Sequence, residues 1–249
     1  MLINKFKKIV IKIGSSILID KKGKPKKIWL KEFVKDIKSL VKKKKQVVIV
    51  SSGAIALGCE YLGINKKGLK VDKSQAVASI GQIELMDFYK KNFNENGLKI
   101  SQILLTLDDT EQRRRSINAK RTIDNLLSMG IVPIVNENDV VAVEELEGEV
   151  FGDNDTLSAL VANLIDADLL VILGSVEGMY TKDPNIHKDA QLISVVEKID
   201  DKVNQYAGPS SDIRGRGGMV TKIQAAQLAT ASGADVVIAN GKKDAVISR

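Results

Sequence analysis

Gln46-Val47-Val48-Ile49-Val50-Ser51-Ser52-Gly53-Ala54-Ile55-Ala56-Leu57-Gly58 is the stretch from which the architecture follows. Its opening run, Gln46 to Val50, has consecutive β-branched side chains with no polar alternation, the pattern of a strand buried on both faces. The run passes through Ser51-Ser52-Gly53 into small apolar residues that suit a helix start. In such a unit the backbone N–H groups of the first helical turn have no partner within the helix, and they can receive a carboxylate or phosphate.

The same pattern recurs along the chain. Lys8 to Ile13 is a strand that ends in Gly14-Ser15-Ser16. Ile131 to Val135 exits through Asn136-Glu137-Asn138-Asp139, and Leu169 to Leu173 exits through Gly174 to Pro184. Ile100 to Leu105 and Asp235 to Ala239 read as further strands, Ile193 to Ile199 as a short one, and Val140 to Val150 as a hairpin. Between them, apolar residues at helical spacing predict helices over Trp29 to Lys43, Ser74 to Asn96, Arg113 to Met129 and Leu157 to Ile165. Two more are expected over Asp200 to Tyr206 and Ile223 to Ser232. The alternation predicts an α/β fold, a mostly parallel open sheet with helices on both faces forming an αβα sandwich. Ligands of such sheets bind at the carboxyl ends of the strands.

Composition agrees. Hydrophobic residues make up 44% of the 249 but aromatics only 4%, so aliphatic side chains must fill the core. The net charge of +7 raises nucleic acid as a partner. The lysine runs lack interleaved aromatics and no nucleic-acid motif accompanies them, so they read as solvated surface and no specific nucleic acid is expected. The single cysteine, Cys59, excludes an internal disulfide and reads as a small core residue. No run is long and apolar enough to span a membrane, and the expected location is cytoplasmic.

The polar turns carry the chemistry. Gly152-Asp153-Asn154-Asp155-Thr156 puts two carboxylates and an amide at the start of an apolar helix. Gly217-Gly218 precedes another helix and allows close backbone approach, with Lys222 in the first turn. A cation there opposes the helix dipole and calls for an anion nearby. Arg113-Arg114-Arg115 opposes its helix dipole in the same way, which leaves a surface or an anion role open. Lys12, inside an apolar strand, is either an edge-strand gatekeeper or a functional cation. Glycine turns, two lysines, and Asp153 with Asp155 as carboxylates for Mg²⁺ are what phosphate handling needs. No Walker loop or dinucleotide fingerprint is present, and the one histidine, His187, reads as a surface residue. A carboxylate acceptor, with a pKa of about 4.3, is ionised at neutral pH and needs no base. Positioning and charge neutralisation would then suffice.

Lys8 to Ser16, Val48 to Gly58, Val132 to Asp139, Phe151 to Ala159, Gly178 to Pro184 and Gly217 to Ala226 together resemble the amino-acid kinase family over nearly the whole chain. The most specific marks are Ser-Ser-Gly-Ala-Ile-Ala-x-Gly at 51–58, Asn-Glu-Asn-Asp at 136–139 and Phe-Gly-Asp-Asn-Asp at 151–155. The resemblance implies a carbamate-kinase-like fold, read as a single domain over 1–249 without the RNA-modification-type C-terminal domain that many members carry. It also implies ATP-dependent phosphorylation of the γ-carboxylate of L-glutamate to L-glutamyl 5-phosphate, early in proline synthesis. Lys12 and Lys222 would contact the transferring phosphoryl group and Asp155 would orient both. Ser52, Gly53, Asp139 and Asn154 would hold glutamate. ATP would meet Lys12, Gly14, Gly174, Ser175 and the segment Arg216, Gly217, Gly218, Met219, Val220, Thr221 and Lys222, with Mg²⁺ on the phosphates and no separate protein metal site. Proline as feedback inhibitor, a homo-oligomer and a glutamyl phosphate reductase are the implied partners. Gly174-Ser175 departs from the family's Ser-Asp or Thr-Asp, which removes one nucleotide contact. Another carboxylate substrate and a non-catalytic sensor on the same fold are the alternatives.

Overall fold

The structure, a computed structural model, describes residues 2–142, 154–184, 186–207, 218–242 and 247. After a 3-10 turn at Leu2–Lys5 come β1 (Lys8–Ile13), α1 (Ser15–Leu18), α2 (Lys27–Lys42), β2 (Gln46–Ser51), α3 (Ala54–Leu62) and α4 (Val71–Glu95). Next are β3 (Ile100–Leu105), α5 (Leu107–Glu111), α6 (Arg113–Ser128), β4 (Val132–Glu137) and α7 (Asn154–Leu164). The chain continues through β5 (Leu169–Gly174), β6 (Met179–Tyr180), β7 (Leu192–Ile193), α8 (Asp201–Ala207), α9 (Met219–Ala231) and β8 (Asp235–Asn240).

Six of these strands form one sheet in the order β3-β4-β2-β1-β5-β8, with every pairing parallel. β1 is central. The chain builds outward from it through β2, then crosses to its other side at β5, so the strand order reverses beside β1. At such a reversal the connections diverge to opposite sides and open a crevice at the carboxyl ends. Register sets Ile13 level with both Ser51 and Leu173, so the exits of three strands share one rim.

Side-chain alternation divides β1 between two cores. Ile9, Ile11 and Ile13 pack with Phe33 and Ile37 of α2 and with Leu85 of α4, while Val10 on the opposite face packs with Val161 of α7 and Ala225 of α9. Lys12 shares the parity of Val10 and so points toward α7 and α9. The edge-strand reading of Lys12 is therefore corrected: β1 has a neighbour on each side, and Lys12 is 2% exposed.

Several boundaries shift. The strand expected over Ile193 to Ile199 is reduced to β7, which pairs antiparallel with β6, and Val195 is exposed because no sheet edge extends to meet it. The helix expected from Ser74 begins at Val71, and that expected from Ile223 begins at Met219. Of the proposed hairpin over Val140 to Val150, Val140 to Ala142 form a turn tied back to Asn138, and the remainder lies outside the described residues.

Candidate active site

Three elements distant in sequence meet at one carboxylate. Asp155, in the first turn of α7, is fully buried; its Oδ1 lies 2.5 Å from Lys12 Nζ and its Oδ2 accepts a hydrogen bond from Lys222 Nζ at 2.9 Å. Thr221 Oγ1 also donates to Oδ2, at 3.0 Å. Burial works against the charge on Asp155, but the two ammoniums outweigh it and hold the carboxyl below the ordinary carboxylate value. Here is an anion that offsets a lysine in the first turn of α9. The cluster itself sets two ammoniums against one carboxylate at the floor of a cleft, an arrangement suited to receiving an anion.

That cleft, about 960 Å³ in volume, opens at the carboxyl ends of β1, β2, β4 and β5, and its size suits a nucleotide and a small second substrate. Gly53 precedes α3 with φ of 120°, a conformation that favours glycine, and an added Cβ would meet Ile19 Cδ1 at 2.7 Å. The turn thus aims the first N–H groups of α3 at the cleft. On the opposite wall, a Cβ on Gly174 would lie 3.1 Å from Lys222 Cε, so the glycine leaves room for the lysine stem.

A chain of buried amides lies beside the ion cluster. Asn154 Nδ2 donates both to the Ser51 carbonyl and to Asn136 Oδ1, the latter at 2.7 Å, and Asn136 Nδ2 donates to Gln82 Oε1 at 2.7 Å. Ser51 Oγ in turn lies 2.9 Å from the buried Tyr89 hydroxyl.

Among the residues anticipated, Lys12, Gly14, Ser52, Gly53, Asp139, Asn154, Gly174, Ser175, Gly218, Met219, Val220 and Lys222 all line this one cleft. Asp155 lies beneath it, and Thr221 turns toward Asp155. Arg216 and Gly217 lie outside the described residues, as does Asp153. The Gly14 N–H donates to the Leu173 carbonyl at 3.3 Å, and the residue lines the cleft. Both carboxylate oxygens of Asp155 face lysines, which fits the orienting role implied by the resemblance better than the reading of Asp155 as a Mg²⁺ carboxylate. Asn136 was missed as a site residue although its cluster was recognised: it is 4% exposed and lines the cleft. Tyr206 of α8 and the exposed His187 also reach its rim, with no sequence signal to announce them.

This fold and site define a class. The pattern of the Amino acid kinase family matches residues 7–240, and the chain belongs to that family. Among curated relatives, the glutamate 5-kinase of Pelagibacter ubique is 56% identical over 94% of this chain and 62% of its own length. The glutamate 5-kinase of Caldanaerobacter subterraneus subsp. tengcongensis is 46% identical over 97% of this chain and 64% of its own. The chain thus spans somewhat under two thirds of these relatives. Two solved structures share the fold at 17% identity. An isopentenyl phosphate kinase has a TM-score of 0.64, covering 97% of this chain and 94% of that one; UMP kinase from Ureaplasma parvum has 0.60, covering 97% and 93%. No described helix is long and apolar enough to cross a membrane.

Proposed function

We propose that this chain transfers the γ-phosphoryl group of ATP to the γ-carboxylate of L-glutamate, forming L-glutamyl 5-phosphate. The observation that carries the reading is the buried Lys12–Asp155–Lys222 cluster at the floor of the cleft. The relatives named glutamate 5-kinase support the choice of substrate.

Phosphoryl transfer asks the protein for position and charge rather than covalent chemistry. Asp155 holds two ammoniums in place before substrate arrives, so little reorganisation is needed as charge develops on the migrating group. The glutamate side chain attacks as the carboxylate it already is, without a general base. Asp139 and the Oδ1 of Asn154 supply acceptors for the substrate ammonium, and the first N–H groups of α3, beside Ser52 and Gly53, supply donors for its α-carboxylate. The β5 exit at Gly174-Ser175 and the first turn of α9 flank the nucleotide. Mg²⁺ would neutralise charge from the phosphate oxygens, the usual arrangement for an ion that keeps few protein ligands. Because the product is a labile acyl phosphate, a glutamyl phosphate reductase would consume it. Proline would act as inhibitor at the end of that sequence, and the chain would work as a cytoplasmic homo-oligomer.

Trapping with hydroxylamine tests the reading. ATP, Mg²⁺ and glutamate should yield γ-glutamyl hydroxamate. Turnover with aspartate or N-acetylglutamate instead would move the chain to another member's chemistry, and calorimetric binding without ATP consumption would make it a sensor.

A further inference from the structure

Among the buried polar side chains of α4 are Gln82 and Tyr89, seven residues apart and therefore on one side of the helix. Neither lines the cleft, yet each bonds a residue at a strand exit: Tyr89 meets Ser51 at the end of β2, and Gln82 meets Asn136 on β4. The amide chain ends on an acceptor at both sides. The Ser51 carbonyl can only accept from Asn154 Nδ2, and Gln82 Oε1, accepting from Asn136 Nδ2, keeps Asn136 Oδ1 turned toward that same nitrogen. The second N–H on that nitrogen then requires an acceptor, which is Asn136 Oδ1, and Asn136 Nδ2 in turn requires one, which is Gln82 Oε1. With both N–H groups of Asn154 committed, only its Oδ1 can be offered to a ligand. Gln82 is 8% exposed, and its Nε2 has no protein acceptor among the described residues, so its contribution is the oxygen alone. The backbone beside it is fixed as well. A Cβ on Gly81 would fall 1.8 Å from the Ala54 carbonyl oxygen, so α4 packs backbone to backbone against α3 there.

We propose that Gln82 is a positioning residue for the amine of the substrate: by accepting from Asn136 it holds Asn136 Oδ1 on Asn154 Nδ2 and, together with the Ser51 carbonyl, keeps the Asn154 carbonyl oxygen toward the cleft, where that oxygen reads an ammonium group. The proposal rests on the reading of glutamate as substrate. Its test compares wild type, Gln82→Met and Gln82→Glu in hydroxamate formation, with glutamate and with glutarate, which lacks the amine, as substrates or competitors. Gln82→Met removes the acceptor at nearly constant volume. It should raise the glutamate KM about tenfold, leave the ATP KM within about twofold, and cut the preference for glutamate over glutarate by about tenfold. Gln82→Glu retains an acceptor oxygen and should return the glutamate KM to within about threefold of wild type, whatever its effect on thermal stability. Should Gln82→Met not fold, Gln82→Leu carries the same comparison. An unchanged glutamate preference in the apolar variant overturns the proposal, as does a parallel rise in both KM values, or a Gln82→Glu enzyme as impaired as Gln82→Met. Wild type is the control for the substrate itself: without glutamate-dependent turnover that reading fails, and the amine-bearing carboxylate that does support turnover, paired with its deamino analogue, replaces glutamate in the comparison.

Discussion

Asp155 is the residue on which the site turns, because a single buried carboxylate orders two ammoniums that would otherwise repel each other. Asp155→Asn keeps the size and removes the charge. We expect kcat to fall about 10²-fold or more with the glutamate KM nearly unchanged, read by steady-state kinetics. The substitution should also destabilise the fold by about 3–5 kcal/mol, the usual consequence of removing one partner from a buried ion pair. The pH dependence has a definite sign. The folded carboxyl titrates below its ordinary value, so its contribution is complete above about pH 5 and fades as the pH falls through the depressed folded value. Urea midpoints of wild type and variant should differ by a constant amount from pH 7 to 5 and converge in more acidic buffer. The sequence already exposes this acid in a helix-starting turn. It could not say whether Lys12 was a gatekeeper or a functional cation, since that depends on which strands flank β1, a matter of tertiary pairing. Gly174 was legible as a nucleotide neighbour and as part of a departure from the family pattern, whereas its closeness to the Lys222 stem emerges from the packing.

Among the elements, α3 and α4 make the tightest contact near the cleft. Gly58 and Gly81 let the helices touch backbone to backbone: a Cβ at Gly58 would lie 2.1 Å from the Val77 carbonyl oxygen. Gly81→Ala should therefore force the pair apart and cost about 1–3 kcal/mol, measured by urea unfolding. It should also raise the glutamate KM, because the N-terminus of α3 moves with it. A variant as stable as wild type would show that the contact relaxes without strain. Elements were legible where the chain repeats a strong period, as in the β-branched run of β2 or the apolar stripe of α2. They were not legible where length defeats periodicity, as in α1 and α5. The apolar residues around Val195 look like a strand in sequence, but only Leu192 and Ile193 find a partner.

For the molecule as a whole, composition foretold an aliphatic core and a lysine-rich exterior, and the alternation of strands and helices foretold a parallel sheet covered on both faces. Which polar turns converge was accessible through the general geometry of such sheets. The amide chain from Gln82 to Ser51 was not, because a glutamine in a long helix looks like any solvated residue until its neighbours are known. The surface charge makes its own prediction. Exposed lysines such as Lys42, Lys43 and Lys44 should give weak heparin retention that disappears at modest salt and shows no preference among sequences. Sequence-selective binding that survives salt would point to a nucleic-acid function. One assay bears hardest on the arrangement of two lysines about a single migrating phosphoryl group: γ-glutamyl hydroxamate formation by wild type, Lys12→Ala and Lys222→Ala. The expected result is robust product from wild type, with kcat lowered about 10²–10³-fold in each variant and the glutamate KM within about threefold. Unchanged kcat in both variants, or a wild-type enzyme that forms no hydroxamate from glutamate, would contradict it.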